Sequence, residues 1–127
     1  ESQIIFSKEE EKIGYEFLEK NGIFKKDKIV SFSSRTNLFR DENFIALRNG
    51  NINNQIDGID FLIQNGYKTV RLGRDYVKFD LESKVLDYSK LNIKNDLLEF
   101  FIVSKSKFMI CTDSGINALP VVMRIPR

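Results

Sequence analysis

At 127 residues the chain has room for one hydrophobic core and not for two. Its 20 basic and 18 acidic residues leave a formal charge of +2 and are interleaved along the sequence, which argues against a dedicated nucleic-acid surface. Histidine is absent and there is one cysteine, so a Ser-His-Asp or Cys-His nucleophile, a histidine-bound zinc and an internal disulfide are excluded within these residues.

Cys111 lies in an apolar run and reads as a small core residue of a reducing compartment. No apolar stretch approaches the roughly 20 residues that span a bilayer. The chain opens at Glu1 without a methionine and closes on VVMRIPR, so it reads as a piece of a longer protein.

In chain order, SKEEEKIGYEFLEKNG reads as a helix with Ser7 as N-cap, Glu10 completing a capping box and Gly22 as the stop. Its apolar stripe is Ile13 and Phe17, flanked by Gly14 and Leu18. KIVSFSS (28–34) is a strand, followed by a polar loop from Arg35 to Asn54, a length that is usually functional or mobile. IDGIDFLIQNGY is a helix with Ile56, Ile59, Leu62 and Ile63 on one stripe and Gly66 as its stop. KTVRLG and KVLDYS are short strands, and NDLLEFFIVSKS is a helix capped by Asn95. KFMICT is a buried strand, TDSGINALP turns into a short helix, and VVMRI is a last strand.

Strands alternating with helices of about three turns predict an α/β domain: a Rossmann-like, three-layer α/β/α arrangement with a mainly parallel sheet. Such sheets bind ligands beyond the C-terminal ends of their strands. The first strand runs into Ser33, Ser34, Arg35 and Thr36, the second into Arg71, Gly73 and Arg74, and the third into Asp87, Tyr88 and Ser89. The fourth runs into Asp113, Ser114 and Gly115. Two arginines and a serine–glycine helix start on one rim form an anion site, because helix N–H groups and guanidinium donors both favour phosphate. Each residue also has a plainer reading. Asp113 or Ser114 caps the short helix, Arg71 is a solvated edge residue, Arg35 is an exposed loop residue, and Tyr88 covers the sheet edge. Neither a dinucleotide-binding fingerprint nor a P-loop occurs.

The pieces FSKEEEKIGYEFLEKNGI, LRNGNINNQIDGIDFLIQNGYKTVRLG, VLDYS, NDLLEFFIVSKSKFMICTDSGINALP and RIP, in that order, resemble a family of bacterial glycosyltransferases of surface-polysaccharide gene clusters. The likeness covers nearly the whole chain. It departs at Thr36, where the family usually has an acidic residue, and at Ser106, where a cysteine is common. The resemblance implies one nucleotide-sugar-binding domain over residues 1–127, similar to the C-terminal half of a GT-B enzyme. It implies a nucleotide-sugar donor, a glycan or glycolipid acceptor, no bound metal or cofactor, and no nucleic-acid partner. The setting it implies is the cytoplasm, extending to the inner face of the cytoplasmic membrane by peripheral association through parts outside these residues. Arg35, Arg71, Ser114 and Gly115 would then hold the donor phosphates. Thr36, Arg48, Asn49, Gly73, Asp87, Tyr88 and Asp113 would stand on the same rim. Two alternatives stay open: a non-hydrolysing nucleotide-sugar epimerase, which shares a TDSG turn, and a non-catalytic module that keeps the fold.

Overall fold

The computed structural model describes residues 4–35, 50–92, 95–112 and 114–127. Helix α1 (Lys8–Lys20) begins at the expected capping box. The Ser7 hydroxyl accepts from the Glu10 N–H at 3.2 Å, and the Glu10 carboxylate accepts from the Ser7 N–H at 2.7 Å. These bonds, the one from the Ser7 backbone foremost, hold the Glu10 carboxyl below its ordinary range. A carboxyl depressed by folding stabilises above its unfolded pKa, and that stability is lost as pH falls through the folded value. Ser7→Ala is expected to cost about 1 kcal/mol through loss of the N-cap bond to the Glu10 N–H, while the acid limb, set mainly by the Ser7 backbone N–H, is largely retained. Urea unfolding across the acid range checks both.

The buried face of α1 is Gly14 and Leu18, whereas Ile13 is 42% exposed. Gly14 is small of necessity, because a Cβ there would overlap the Phe101 ring. The helix ends at Asn21, and Gly22 takes the left-handed conformation that turns the chain into β1 (Lys28–Ser33).

The polar loop is shorter than its sequence implied. Residues 52–55 already form a 3-10 turn with Ile52 buried, and the turn leads into α2 (Ile56–Gln64). Strand β2 (Tyr67–Arg71) follows a left-handed Gly66. The expected strand 84–89 reduces to β3 (Leu86–Asp87), because the Asp87 side chain accepts from the Ser89 N–H and winds 88–90 into a 3-10 turn. Helix α3 (Asp96–Lys105), capped by Asn95, leads directly into β4 (Ser106–Cys111).

A 3-10 turn (Gly115–Asn117) then opens into α4 (Ala118–Met123). Val121–Met123 are thus helical, which overturns the expected strand 121–125. Pro120 sits in the first turn of α4, where its missing N–H removes no helical bond. Arg124, at φ 56°, provides the left-handed stop. Only beyond it does the chain run beside β4, where the Met109 N–H donates to the Pro126 carbonyl at 2.8 Å.

The four strands are all parallel, in the order β3-β2-β1-β4. Alternation splits their side chains between two cores. Ile29, Val70, Leu72 and Met109 pack with Leu18, Phe101, Ile102 and Met123 of α1, α3 and α4. Phe32 packs on the opposite face with Ile52, Ile59, Phe79 and Leu81. Both faces are covered, so the architecture is the expected α/β/α sandwich.

Candidate functional site

The strand order reverses between β1 and β4, so chain segments leave the sheet in opposite directions there and open a crevice at the strand C-termini. A cavity of about 630 Å³ occupies that position. It is lined by Ser33, Ser34 and Arg35 after β1, by Arg71 and Gly73 at β2, and by Ser114 and Gly115 after β4.

The rim of β1 is fixed by backbone bonds. The Arg35 N–H donates to the Thr112 hydroxyl at 2.8 Å, and the Gly50 N–H donates to the Arg35 carbonyl at 2.9 Å. Gly50 approaches so closely that a Cβ would lie 2.6 Å from Ser34 Oγ and 2.8 Å from Thr112 Cγ2. The three residues tie the ends of β1 and β4 together beneath the half-buried Arg35 side chain.

Arg71 is not a solvated edge residue; it is 1% exposed. Its Nη1 donates to Asp87 Oδ2 at 3.1 Å and to Ser89 Oγ at 2.7 Å, and its Nη2 donates to the Asp75 carbonyl at 3.1 Å. The register of β2 and β3 sets Arg71 directly opposite Asp87, which is how residues 16 apart in sequence meet. The guanidinium lies 5.6 Å from the Phe79 ring, so the pair is sealed on its apolar side.

Three polar atoms on the cavity wall have no partner among the described residues: Ser33 Oγ, Ser34 Oγ and Arg71 Nε. Ser33 is 2% exposed, so its hydroxyl is removed from bulk water yet unsatisfied. Buried polar atoms are normally bonded, and a row of unsatisfied ones on a cavity wall is a place where a ligand's polar atoms gain directly.

The other expected residues divide. Gly73, at φ 135°, lines the cavity. Ser114 precedes the 3-10 turn without a side-chain capping bond, so its hydroxyl is not engaged in holding the turn. Asp87 serves Arg71. Tyr88 is fully buried beneath α1, edge-on to Phe17 at 6.2 Å, and its hydroxyl bonds both backbone groups of Asn95. Tyr88 therefore fastens the start of α3 to the end of β3, and burial pushes its phenol pKa up. Thr36, Arg48, Asn49 and Asp113 lie outside the described residues.

Sequence reasoning passed over the first turn of α3, which contributes Asp96, Glu99 and Phe100 to the cavity wall. A signal for it existed: a helix leading into a parallel strand starts on the rim where the preceding strand ends. The cavity is consequently divided, with hydroxyls and Arg35 toward β1 and carboxylates toward α3. Arg74 and Asp96 form an exposed pair at 3.8 Å. Cys111 is half-buried with its thiol directed to Asn117 Oδ1 at 3.1 Å, and burial pushes its pKa up, away from thiolate reactivity. Among the described residues no group of three His, Cys, Asp or Glu side chains is placed to hold a metal.

No protein-family model matches the sequence, and no curated protein does. Solved structures match its shape. The E. coli ADP-heptose LPS heptosyltransferase II is similar over 98% of this chain, with a TM-score of 0.69 and 12% identity. The family 9 glycosyl transferase of Veillonella parvula DSM 2008 is similar over 97%, with a TM-score of 0.71 and 17% identity. This chain spans 38% and 35% of the length of those two proteins. At such identities the likeness is one of fold: the chain has a Rossmann-like α/β/α fold with a parallel sheet, resembling one domain of a GT-B glycosyltransferase.

Proposed function

We propose that this chain is the donor-binding domain of a glycosyltransferase that moves a sugar from a nucleotide sugar to a glycan or glycolipid acceptor. The setting proposed is the bacterial cytoplasm, in surface-polysaccharide biosynthesis. One observation carries the reading: the cavity at the strand reversal presents buried, unsatisfied Ser33 Oγ and Arg71 Nε beside Arg35. The fold likeness supports it.

Glycosyl transfer leaves a nucleoside diphosphate behind, so the domain must neutralise departing phosphate charge and hold the donor in line. Arg71 is already paired with Asp87, so it offers an Nε–H donor rather than a net charge. Arg35 is the cation of the β1 side. Ser33, Ser34 and Ser114 add neutral hydroxyl donors, and Gly115 leaves the backbone open to close approach. The α3 side carries the Arg74–Asp96 pair, so the donor is proposed to lie with its diphosphate toward Arg35. Thr36, Arg48, Asn49 and Asp113 are proposed as further contacts on this rim.

A thermal-shift panel of UDP, GDP, ADP and CMP, with the corresponding sugars, tests the reading. At least one ligand is expected to raise the melting temperature in proportion to its excess over Kd. Arg35→Ala is expected to weaken that ligand about 10- to 100-fold, the loss of one charge-assisted bond, while leaving the unliganded melting temperature unchanged. A panel without any shift overturns the proposal. Binding without sugar transfer to any acceptor would instead identify a binding module.

A further inference from the structure

Five lysines are gathered at one end of the sheet. Because all four strands are parallel, the residues that open them share the sheet edge opposite the cavity. Lys28 opens β1, Lys68 is the second residue of β2 and Lys107 the second of β4. The turn that leads into β1 adds Lys25 and Lys26. These five side chains are exposed, and none has an ion pair among the described residues. Other lysines at this edge have ordinary duties. Lys20 and Lys105 stand in the last turns of α1 and α3, where a cation suits the helix carbonyls, and Lys105 also pairs with Glu11. Lys84 pairs with Asp60.

An apolar group stands among them. Phe24, 51% exposed, is held outward by a turn bonded on both sides. The Phe24 N–H donates to Asp27 Oδ2 at 2.7 Å, and the Asp27 N–H donates to the Phe24 carbonyl at 2.9 Å. Asp27, the acid of this turn, is thereby directed at the backbone. Lys25 and Lys26 occupy the two positions between. Lys25 packs 4.4 Å over the Tyr15 ring, and Lys28 lies 5.9 Å from the Tyr67 ring, which stacks edge-on with Phe108. The edge thus carries unpaired cations on aromatic supports around one projecting ring.

We propose that this edge docks on an anionic phospholipid bilayer, with Phe24 entering the headgroup boundary and the five lysines facing lipid phosphates. Lysine rather than arginine fits that partner, because a compact hydrated ammonium serves diffuse attraction to a charged plane and not bidentate recognition. The projecting ring favours a bilayer over nucleic acid, since it needs an apolar layer to enter. The arginines Arg35, Arg71 and Arg74 line the cavity at the other edge. The inference stands apart from the donor-binding proposal and does not depend on it.

The test is vesicle co-sedimentation of the chain with an equal mixture of phosphatidylglycerol and phosphatidylcholine, against phosphatidylcholine alone. Binding is expected only to the anionic vesicles and to decline as NaCl is raised. The double variant Lys25→Gln/Lys26→Gln is expected to weaken it about 30-fold, at about fivefold per lysine. Phe24→Ala is expected to weaken it severalfold at unchanged salt dependence. Lys68→Gln/Lys107→Gln provides the same charge change away from the turn. Absent or lipid-independent binding overturns the proposal, as does binding that neither lysine pair affects. Binding to a duplex oligonucleotide but not to vesicles, retained in full by Phe24→Ala, assigns the edge to nucleic acid and overturns it equally.

Discussion

Arg71→Ala is expected to lower the unfolding free energy by about 3–5 kcal/mol, a fall on the order of 10–20 °C in melting temperature. The side chains of Arg71 and Asp87 are each 2% exposed, so the variant strands a carboxylate in the interior with only Ser89 to satisfy it. Two ions in low dielectric repay their dehydration only while both are present, which makes single removal far worse than joint replacement. Arg71→Met combined with Asp87→Leu should therefore recover most of the loss, and urea unfolding of both singles and the double reads the difference. A loss under about 1 kcal/mol for Arg71→Ala would mean the pair behaves as an exposed one and would refute the account. One practical result follows for ligand binding. Loss of nucleotide affinity in Arg71→Ala would mix contact with collapse of the rim, so Arg35 is the cleaner probe.

Phe101→Ala is expected to cost a similar 3–5 kcal/mol through the cavity it leaves. Its ring is fully buried where α1 and α3 meet, with Phe6 and Tyr15 edge-on at 5.5 and 5.0 Å. Gly14 lies against the same ring on α1, so the contact is flush on that side and cannot relax inward. The reverse change shows the same fit from the other side: Gly14→Ala overpacks the contact by about 1–3 kcal/mol. Combining it with Phe101→Leu should cost less than the sum of the two singles. Denaturant slopes unchanged from the parent would confirm that only packing was altered. Additivity of the two substitutions would show that Gly14 and Phe101 are not coupled.

What could be read from the sequence was what short-range chemistry determines. Ser7 with Glu10, Asn95, Gly22 and Gly66 mark helix ends because capping and left-handed turns involve neighbours within a few positions. The parallel sheet followed from strands alternating with helices. Segments whose state depends on distant packing were misread. VVMRI satisfies a strand pattern, yet Met123 completes the core under α4, and the helix wins by burying it. The site was legible as a rim and not as a set of contacts. Arg71 and Asp87 both stand at strand ends, but that they neutralise one another depends on the register of two strands, which spacing along the chain does not encode. The α3 contribution was missed for a different reason: Asp96, Glu99 and Phe100 carry no motif, and the signal that did exist lay in the connectivity, which starts α3 on the rim.

The bond between the Gly50 N–H and the Arg35 carbonyl, backed by Thr112, also bears on how this domain can diverge. It sets the chain's point of departure from β1 and its point of return side by side, with 14 residues between them. Lengthening such a closed segment costs little, since each doubling adds only about 0.6 kcal/mol of closure entropy. Added length between positions 36 and 49 should therefore leave this tie in place, provided Arg35, Gly50 and Thr112 are kept.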